Sequence, residues 1–262
     1  MKRRLAIVAL ELWLPVTLVV VWWYVSADST SPFYPPLERI VEVFEDTWVF
    51  ERVDEDLLPS LSRFVQGFVL ACVCGVAIGL ALGLWTPVRR ALTPVIDFMR
   101  SIPVTALVSA FIVLLGFGDS MKVSMIAFAS FFPILLNTID GVRGVSSEQL
   151  DMARAYKVRG PDRIFRIILP AASPQIFAGL RVALAVALLV MAFSEMTGGT
   201  NGLGFFILFA QDTYRIPEMW SGIVLLGLVG YAVNLCFVLV ERWVLRWHRG
   251  WRAMTESGGG VV

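Results

Sequence analysis

Six long apolar stretches constrain the fold of this chain more than any other feature of its sequence. A helix needs about 20 apolar residues to cross the roughly 30 Å hydrocarbon core of a bilayer. We therefore expect transmembrane helices near residues 5–25, 61–85, 103–117, 120–139, 175–196 and 220–244. The predicted fold class is an all-α integral membrane protein, with residues 1–262 forming a single transmembrane domain.

The composition agrees with a membrane protein. Apolar residues make up 57% of the chain and charged residues 16%, whereas soluble domains carry about 25% charged residues. The net charge of +1 and the dispersed basic residues argue against a nucleic-acid partner. Cys72, Cys74 and Cys236 lie inside apolar stretches, and their number and spacing are not typical of a metal site or a disulfide framework. We interpret them as residues packed between helices.

The first apolar stretch has two interpretations. Residues Val25-Ser26-Ala27 resemble the small-residue cleavage site of a signal peptide. The apolar run is longer than a usual signal-peptide core, however, and its tryptophans and Tyr24 suit the interface belt of a retained helix. We predict that this helix is kept as the first span.

The distribution of basic residues predicts the orientation of the spans. Sixteen of the 22 lysines and arginines precede the first span, lie between spans two and three or between spans four and five, or follow span six. The positive-inside rule makes that face cytoplasmic, so both termini are predicted to be cytoplasmic. These residues are Lys2, Arg3, Arg4, Arg89, Arg90, Arg100, Arg143, Arg154, Lys157, Arg159, Arg163, Arg166, Arg242, Arg246, Arg249 and Arg252.

The connection between spans four and five is too ordered for a simple loop. Ser146 and Gln149 have the spacing of a capping box, which predicts a helix from there to Lys157. Gly160-Pro161 breaks this helix and starts a second one, which Pro170 is expected to end before span five. Two short helices beneath the membrane predict a docking surface for a cytoplasmic partner.

The same segment and the residues after it resemble a known family. Asp151-Met152-Ala153-Arg154-Ala155-Tyr156, followed by Ile168-Leu169-Pro170, resembles the EAA loop of binding-protein-dependent ABC importer permeases. The likeness continues through Gly179-Leu180-Arg181, Ser194-Glu195-Met196 and residues 198–204. In order and spacing these motifs are similar to those of the subfamily that imports nitrate, taurine and alkanesulfonates, which has the MetI-like fold.

The resemblance implies a permease subunit that is not itself an enzyme and binds no cofactor or metal. A separate cytoplasmic ATPase subunit is expected to bind ATP and Mg. An extracytoplasmic binding protein is expected to deliver a small organic or inorganic solute. A second permease copy, giving a homodimer, is the family's usual arrangement. The expected location is the bacterial inner membrane, as a multi-pass protein in contact with lipid.

In this family the segment at 146–170 forms a coupling helix that sits in a groove of the ATPase. A solvated surface or a contact with lipid headgroups is the alternative for its charged members. The family's glutamate is replaced by Asp151, its first alanine by Met152 and its loop glycine by Lys157, while a glycine follows at Gly160. We therefore expect a shifted or reshaped elbow. The resemblance assigns the coupling role to Asp151, Met152, Ala153, Arg154, Tyr156, Lys157, Arg159 and Gly160.

Small residues recur at every fourth position of the second span, at Gly67, Ala71, Gly75, Gly79 and Gly83. Such a ridge lets a neighbouring backbone approach closely in lipid. It is compatible with a seam between two permease copies and with packing inside one chain. We favour packing inside the chain, because the motif marks close contact without naming the partner.

Two hypotheses concern Glu195, near the outer end of span five. Either Glu195 and Ser194 line the outer gate of the translocation path together with Met191, or Glu195 holds the following glycine-rich segment through backbone hydrogen bonds. The sequence does not separate these hypotheses. Residues 99–103 resemble the family's proline-bearing hinge and form a candidate moving element.

Four other function classes fit less well. A self-contained ATP-driven transporter needs a phosphate-binding loop of the form G-x-x-x-x-G-K-[ST], which the sequence lacks. An ion-coupled carrier usually has several buried charges, and a membrane enzyme needs His, Cys or paired Asp residues near its spans. The one histidine, His248, lies in the C-terminal tail. A pure scaffold does not need a docking segment of this kind.

Overall fold

The computed structural model describes residues 2–48 and 52–246, with side chains from Trp13 onward. Within these residues the chain is helical and contains no β-strand, so the predicted all-α fold is confirmed. Arg249 and Arg252, which entered the topology prediction, lie outside the described residues. The helices are α1 (Lys2–Ser26), α2 (Leu37–Trp48), α3 (Leu58–Leu84), α4 (Thr86–Ser101), α5 (Val108–Leu115), α6 (Asp119–Arg143), α7 (Ser147–Ala155), α8 (Pro161–Arg163), α9 (Leu169–Gly198), α10 (Leu203–Asp212) and α11 (Ile216–Val244).

Short irregular turns join some of these helices. A π-helical turn, Val53–Leu57, leads into α3, and a second one, Ile164–Ile168, joins α8 to α9. A 3₁₀ turn, Val104–Leu107, precedes α5. Four continuous helical segments are long and apolar enough to cross a membrane, namely Val53–Leu84, Asp119–Arg143, Pro161–Gly198 and Ile216–Val244.

The other two predicted spans are less regular. Helix α4 and the segment Val104–Leu115 together have the length and apolar character of a span, but they are bent by 82° relative to each other. In the first apolar helix, α1, the part with described side chains, Trp13–Ser26, is shorter than a span. The count of six spans therefore stays a prediction.

A three-helix core, with α6 between α3 and α9, organises the described chain. The small residues of α3 face α6: a Cβ at Gly79 would lie 2.6 Å from Cβ of Thr138, and a Cβ at Gly67 would lie 2.7 Å from Ile126. On the other side of α6, Gly179 of α9 makes room for Asn137 in the same way. The ridge in the second span therefore packs within the chain, as predicted, since larger side chains would separate the helices.

The third span is broken at an elbow between α4 and α5. Ile102 is extended, and Pro103 has no amide hydrogen to continue the helix, so α4 ends at Ser101. Arg100, at the end of α4, lines the same cavity as Pro133 in the middle of α6. Arg100 therefore does not belong with the basic residues at the inner helix ends, where the topology prediction counts it.

The opposite end of the core, near the start of α3, is the outer end in the predicted topology, and α2 and α10 cover it. Trp48 of α2 donates a hydrogen bond from Nε1 to Ser221 Oγ of α11 at 3.2 Å, and its ring packs against Phe206 of α10. Helix α10 begins within the glycine-rich segment, residues 198–204. These contacts therefore fix where that segment enters the core.

Candidate coupling segment and outer polar cluster

The candidate coupling segment, residues 146–170, begins with helix α7. The predicted start of this helix is confirmed. Ser146 caps it, because the side-chain oxygen accepts a hydrogen bond from the Gln149 amide at 3.3 Å. The pKa of Glu148 in the first turn is held below its usual range, because its own backbone amide and the Ser146 hydroxyl donate to its carboxylate. The helix ends at Ala155, slightly before the predicted end.

The elbow after α7 contains a lysine in the left-handed conformation. Lys157 has a φ of +56°. Its amide donates to the Arg154 carbonyl at 3.0 Å, and the Val158 amide donates to the Ala153 carbonyl at 2.8 Å. This pair of bonds is the Schellman motif, in which glycine usually takes the left-handed position. The elbow thus keeps the place of the family's loop glycine, with a lysine there, and is reshaped by a second left-handed residue, Gly160.

The second helix of the segment does not end at Pro170, so this prediction was wrong. From Pro161 the chain is helical without interruption to Gly198. In the π-helical turn the Leu169 amide donates to the Ile164 carbonyl, five residues back. The missing amide hydrogen of Pro170 is tolerated directly after such a turn, because the wider turn already interrupts the regular hydrogen-bond ladder. The second helix of the segment, from Pro161 onward, therefore continues into α9 as one helical unit.

Seven of the eight predicted coupling residues are exposed, and Ala153 is the exception. Tyr156 has 81% of its surface exposed, and Met152 lies one turn before it. Asp151 and Arg154 pair with each other at 2.6 Å on the exposed surface. Ala153 is only 2% exposed. Ala153 therefore lies on the side of α7 that faces the rest of the chain, rather than on the surface that a partner can reach.

A small apolar cluster holds α7 against the core. Leu150 packs against a buried group at the inner ends of α6 and α9 that includes Val142 and Ile168. A cavity of about 390 Å³ opens beside it, lined by Tyr156 and Arg166 among others. Leu150 thus places α7 against the inner ends of two long helices, a position in which a short helix can receive a rigid-body movement from a partner.

A buried polar cluster closes the outer end of the core. Glu195 of α9 is fully buried. Its carboxylate accepts hydrogen bonds from Ser60 Oγ at 2.8 Å, from Arg63 Nη1 at 2.8 Å and from the Gly204 amide at 3.1 Å. Since Ser60 and Arg63 belong to α3 and Gly204 to α10, one carboxylate joins three helices.

Arg63 uses its whole guanidinium group in this cluster. Nη1 of Arg63 donates to Glu195, and Nε donates to Oδ1 of Asp119, at the start of α6, at 2.7 Å. Its terminal nitrogens donate to the carbonyl and side-chain oxygens of Asn201 at 3.1 and 2.6 Å. The Nζ atom of Lys122, which is also buried, lies 3.9 Å from Asp119. Each charge therefore has an opposite charge beside it, as burial demands.

The glycine-rich segment, residues 198–204, is held through its backbone. The amides of Gly202 and Leu203 donate to Asp56 Oδ1 and Ser60 Oγ, both at 2.8 Å. Gly202 has a φ of +115°, and a Cβ there would overlap the Glu195 carboxylate. Glycine is required at this position because it combines that conformation with so close an approach of the backbone.

This geometry bears on the two hypotheses for Glu195. Its bond to the Gly204 amide is the contact that the second hypothesis expects, in which Glu195 holds the glycine-rich segment. Ser194 and Met191 are buried in the same helix, where Ser194 Oγ donates to the Met191 carbonyl at 2.9 Å. All three side chains thus lie inside a single chain. Their contact with a solute stays a prediction, which this placement does not favour.

The polar cluster does not have the composition of a metal site. Within residues 2–48 and 52–246, no three or more His, Cys, Asp or Glu side chains gather where they could hold a metal ion. The carboxylate of Glu195 is instead occupied by Ser60, Arg63 and a backbone amide.

Sequence reasoning missed most of this cluster. Asp56 and Asp119 stand at predicted span ends, where polar residues are common and carry little signal. Arg63 and Lys122, in contrast, fall inside predicted spans. An ionisable residue inside a span is costly and normally has a partner. These two cations, considered together with Glu195, were the signal that could have revealed the site.

Comparisons with known proteins point to one family. Residues 73–250 match the family described as binding-protein-dependent transport system inner membrane component. The putative aliphatic sulfonates transport permease protein SsuC of Bacillus subtilis (strain 168) is 28% identical over 240 residues, which are 91% of this chain and 87% of that protein. The nitrate import permease protein NrtB of Leptolyngbya laminosa is 32% identical over 210 residues, which are 75% of each chain.

A solved structure has the same fold. A chain of the MetNI methionine ABC transporter, in an inward facing conformation, matches with a TM-score of 0.61 and 18% identity over 72% of this chain and 94% of that chain. The resemblance inferred from the coupling motif is thereby confirmed. The chain belongs to the family of binding-protein-dependent transport system inner membrane components: it is the membrane-spanning permease subunit of an ABC importer, in which a separate subunit hydrolyses ATP.

Proposed function

We propose that two copies of this permease form the pathway by which a solute of the sulfonate, taurine or nitrate class enters the cell. The substrates named for the sulfonate and nitrate permeases support this class, since both carry a small oxyanion group. The observation that carries the coupling part of the proposal is the exposed face of α7, which packs through Leu150 on the inner ends of α6 and α9.

The exposed residues of α7 and its elbow are proposed to contact the ATPase subunit, which binds ATP and Mg. Ala153 contributes by fixing α7 to the core. Closure of the ATPase pair on ATP binding then moves α7 together with α6 and α9, and the pathway changes from inward-facing to outward-facing. The contacting residues are Asp151, Met152, Arg154, Tyr156, Lys157, Arg159 and Gly160.

At the outer end, where the binding protein delivers the solute, Glu195 is proposed to act on the gate through the glycine-rich segment. Glu195 and Arg63 tie α9 to α3 and to that segment. Movement of α9 is therefore passed to residues 198–204. Ser194 and Met191 support the same end of α9 from inside the core.

The chain is proposed to be one transmembrane domain with six spans and both termini in the cytoplasm. Arg143 before α7 and Arg163 and Arg166 after it concentrate basic charge at the inner end, in keeping with the positive-inside rule. This orientation puts α7 on the side where ATP is present and the polar cluster on the side of the binding protein.

Copurification tests the coupling proposal. Tyr156→Ala should release the ATPase subunit in detergent and abolish ATP hydrolysis stimulated by the binding protein, while leaving the permease folded in the membrane. Tyr214→Ala is the matched control, because Tyr214 is 78% exposed at the opposite end of the core. It should retain both properties.

Reconstitution tests the pathway and the solute class. Proteoliposomes with the permease, the ATPase and the binding protein should transport labelled taurine, ethanesulfonate or nitrate only when ATP is present on the side of the membrane where the ATPase lies. Transport by the permease without any ATPase would contradict the proposal. Uptake of none of the three anions by an active complex would contradict the solute class.

A further inference from the structure

The elbow between α4 and α5 lies halfway through the core. It borders a cavity of about 360 Å³ that it shares with α6 and α9. Helix α4 therefore fills the inner half of the broken span, and α5 fills the outer half. The elbow contributes Met99, Arg100, Ile102, Pro103 and Val104 to this cavity, and the facing residues include Phe128, Pro133 and Leu136 from the central turns of α6 and Val186 from the middle of α9.

The backbone at this elbow is irregular. Helix α4 ends at Ser101, and the extended Ile102 bonds back to the Met99 carbonyl at 3.3 Å. The last carbonyls of a helix have no partner within the helix. At membrane depth, irregular backbone is tolerated only where it is buried in protein or faces water. Pro103 is exposed in the single chain, so the elbow belongs to a protein-lined or water-filled space of the assembled transporter.

The charges at the elbow lead to the same conclusion. Arg100 and Asp97 form an ion pair with Nε 2.9 Å from Oδ1, and about half of each side chain is exposed (50% and 49%). Charged residues at membrane depth face the interior of a bundle or a water-filled cavity, because lipid does not solvate them. Among the described residues that line the cavity, Arg100 is the one that carries a charge.

The next turns of the broken span present a small and polar face. Thr105 and Ser109, one helical turn apart, are exposed together with Ala106 and Ala110. This face continues from Arg100 toward the outer end. Two hydroxyl groups and two small side chains beside a half-exposed cation are a hydrophilic lining rather than a lipid contact.

We propose that Arg100 is the anion-binding residue in the middle of the pathway, with Thr105 as a second hydrogen-bond donor and Asp97 as the counter-ion that the solute displaces. A guanidinium has five N–H donors, and in the described chain the hydrogen bond of Arg100 engages Nε alone. Its two terminal nitrogens can therefore bind an oxyanion in bidentate geometry. This inference rests on the proposed function and deepens it, because it names the group that selects an anionic solute inside the pathway.

The charge at the elbow can be measured without knowing the solute. Thr105→Cys, in a chain whose native cysteines are changed to alanine, is labelled in membrane vesicles that contain the full complex. The probes are the anionic 2-sulfonatoethyl and the cationic 2-trimethylammonioethyl methanethiosulfonates. The ratio of the anionic to the cationic labelling rate should fall about tenfold in Arg100→Gln. It should rise in Asp97→Asn, which leaves the arginine without its counter-ion.

Matched controls separate a local effect from a general one. Arg90→Gln removes the same charge from an exposed position near the inner end of α4 and should leave the ratio unchanged, and Arg100→Lys should retain it. An unchanged ratio in Arg100→Gln overturns the proposal. So does a failure of Thr105→Cys to react with either probe while Tyr214→Cys is labelled. Copurification of the ATPase from the same vesicles reports separately on the proposed function.

Discussion

The two ends of the core use the same ionic groups in opposite ways. At the outer end, Arg63 and Glu195 pair at 2.8 Å with 4% and 0% of their side chains exposed. At the inner end, Arg154 and Asp151 pair at 2.6 Å with 70% and 65% of their side chains exposed. The outer pair is part of the folded structure, whereas the inner pair is available to a partner.

This difference in burial implies a difference in free energy. Removing one member of a buried pair leaves an uncompensated charge in a medium of low dielectric and costs about 3–5 kcal/mol. An exposed pair contributes about 0–1 kcal/mol to the free energy of unfolding, because water stabilises the separated charges nearly as well as the pairing does. A permease needs one end that stays folded and one end that can exchange contacts with the ATPase subunit. The buried outer pair suits the first requirement and the exposed inner pair suits the second.

The largest expected effect is at the outer end. Glu195→Ala leaves Arg63 with one carboxylate fewer and frees the Gly204 amide. It should lower the free energy of unfolding by about 3–5 kcal/mol, measured by thermal unfolding in detergent. Glu195→Gln keeps an oxygen that accepts hydrogen bonds and should lose less. Wild-type stability, assembly and transport in Glu195→Ala would rule out both hypotheses for this residue.

The seam that joins the two ends comes next. Gly79→Ala places a Cβ 2.6 Å from Thr138 Cβ and 2.9 Å from the Leu135 carbonyl oxygen, so α3 and α6 must move apart. The expected cost is about 1–3 kcal/mol in the same unfolding measurement. Gly227→Ala in α11 is the matched control, since a Cβ there meets nothing within 4 Å. Equal melting temperatures for the two variants would show that the seam is loosely packed.

A smaller effect of opposite sign is expected at the elbow of the coupling segment. Lys157→Gly should stabilise the end of α7 by about 0.5–1 kcal/mol, because glycine avoids the steric penalty that a Cβ meets in the left-handed conformation. The higher entropy of glycine in the unfolded chain offsets part of this gain. Hydrogen exchange at the amides of residues 157 and 158 should slow. Gly160→Ala should speed local exchange, since Gly160 also has a positive φ, of +58°. Faster exchange in Lys157→Gly would show that the lysine side chain itself supports the elbow.

The smallest effect on stability is expected for the exposed pair. Asp151→Asn should change the free energy of unfolding by no more than about 0.5 kcal/mol, yet it should weaken copurification of the ATPase. The comparison is sharpest when this variant and Glu195→Ala are measured side by side. Unfolding of the permease by Asp151→Asn would remove the contrast between the two ends.

Hydropathy predicted the long helices because bilayer thickness sets their length. The stretch predicted at 120–139 is α6, Asp119–Arg143, and the one at 220–244 is α11, Ile216–Val244. The start of α7 was predictable for a similar reason, since the Ser146 cap bonds to a residue three positions away. Local features of this kind can be read from the chain alone.

The remaining features depend on contacts that sequence order does not show. Pro170 continues a helix only because a π-helical turn precedes it, and nothing in the local pattern announces that turn. The partners of Arg63 come from α6, from α9 and from the glycine-rich segment. The midway position of Arg100 follows from the bend between α4 and α5, whereas a count of charges between spans places it at the inner surface.

The buried pair of Arg63 and Glu195 also has a consequence for how the permease is made. The two residues are 132 positions apart, and a ribosome adds about 5–20 residues per second. Helix α3 is therefore synthesised on the order of ten seconds before the carboxylate that neutralises its arginine exists. During that interval the outer end cannot close. Completion of the polar cluster thus marks the insertion of α9, before α11 is made, and a product truncated before α9 carries an arginine that lacks this partner.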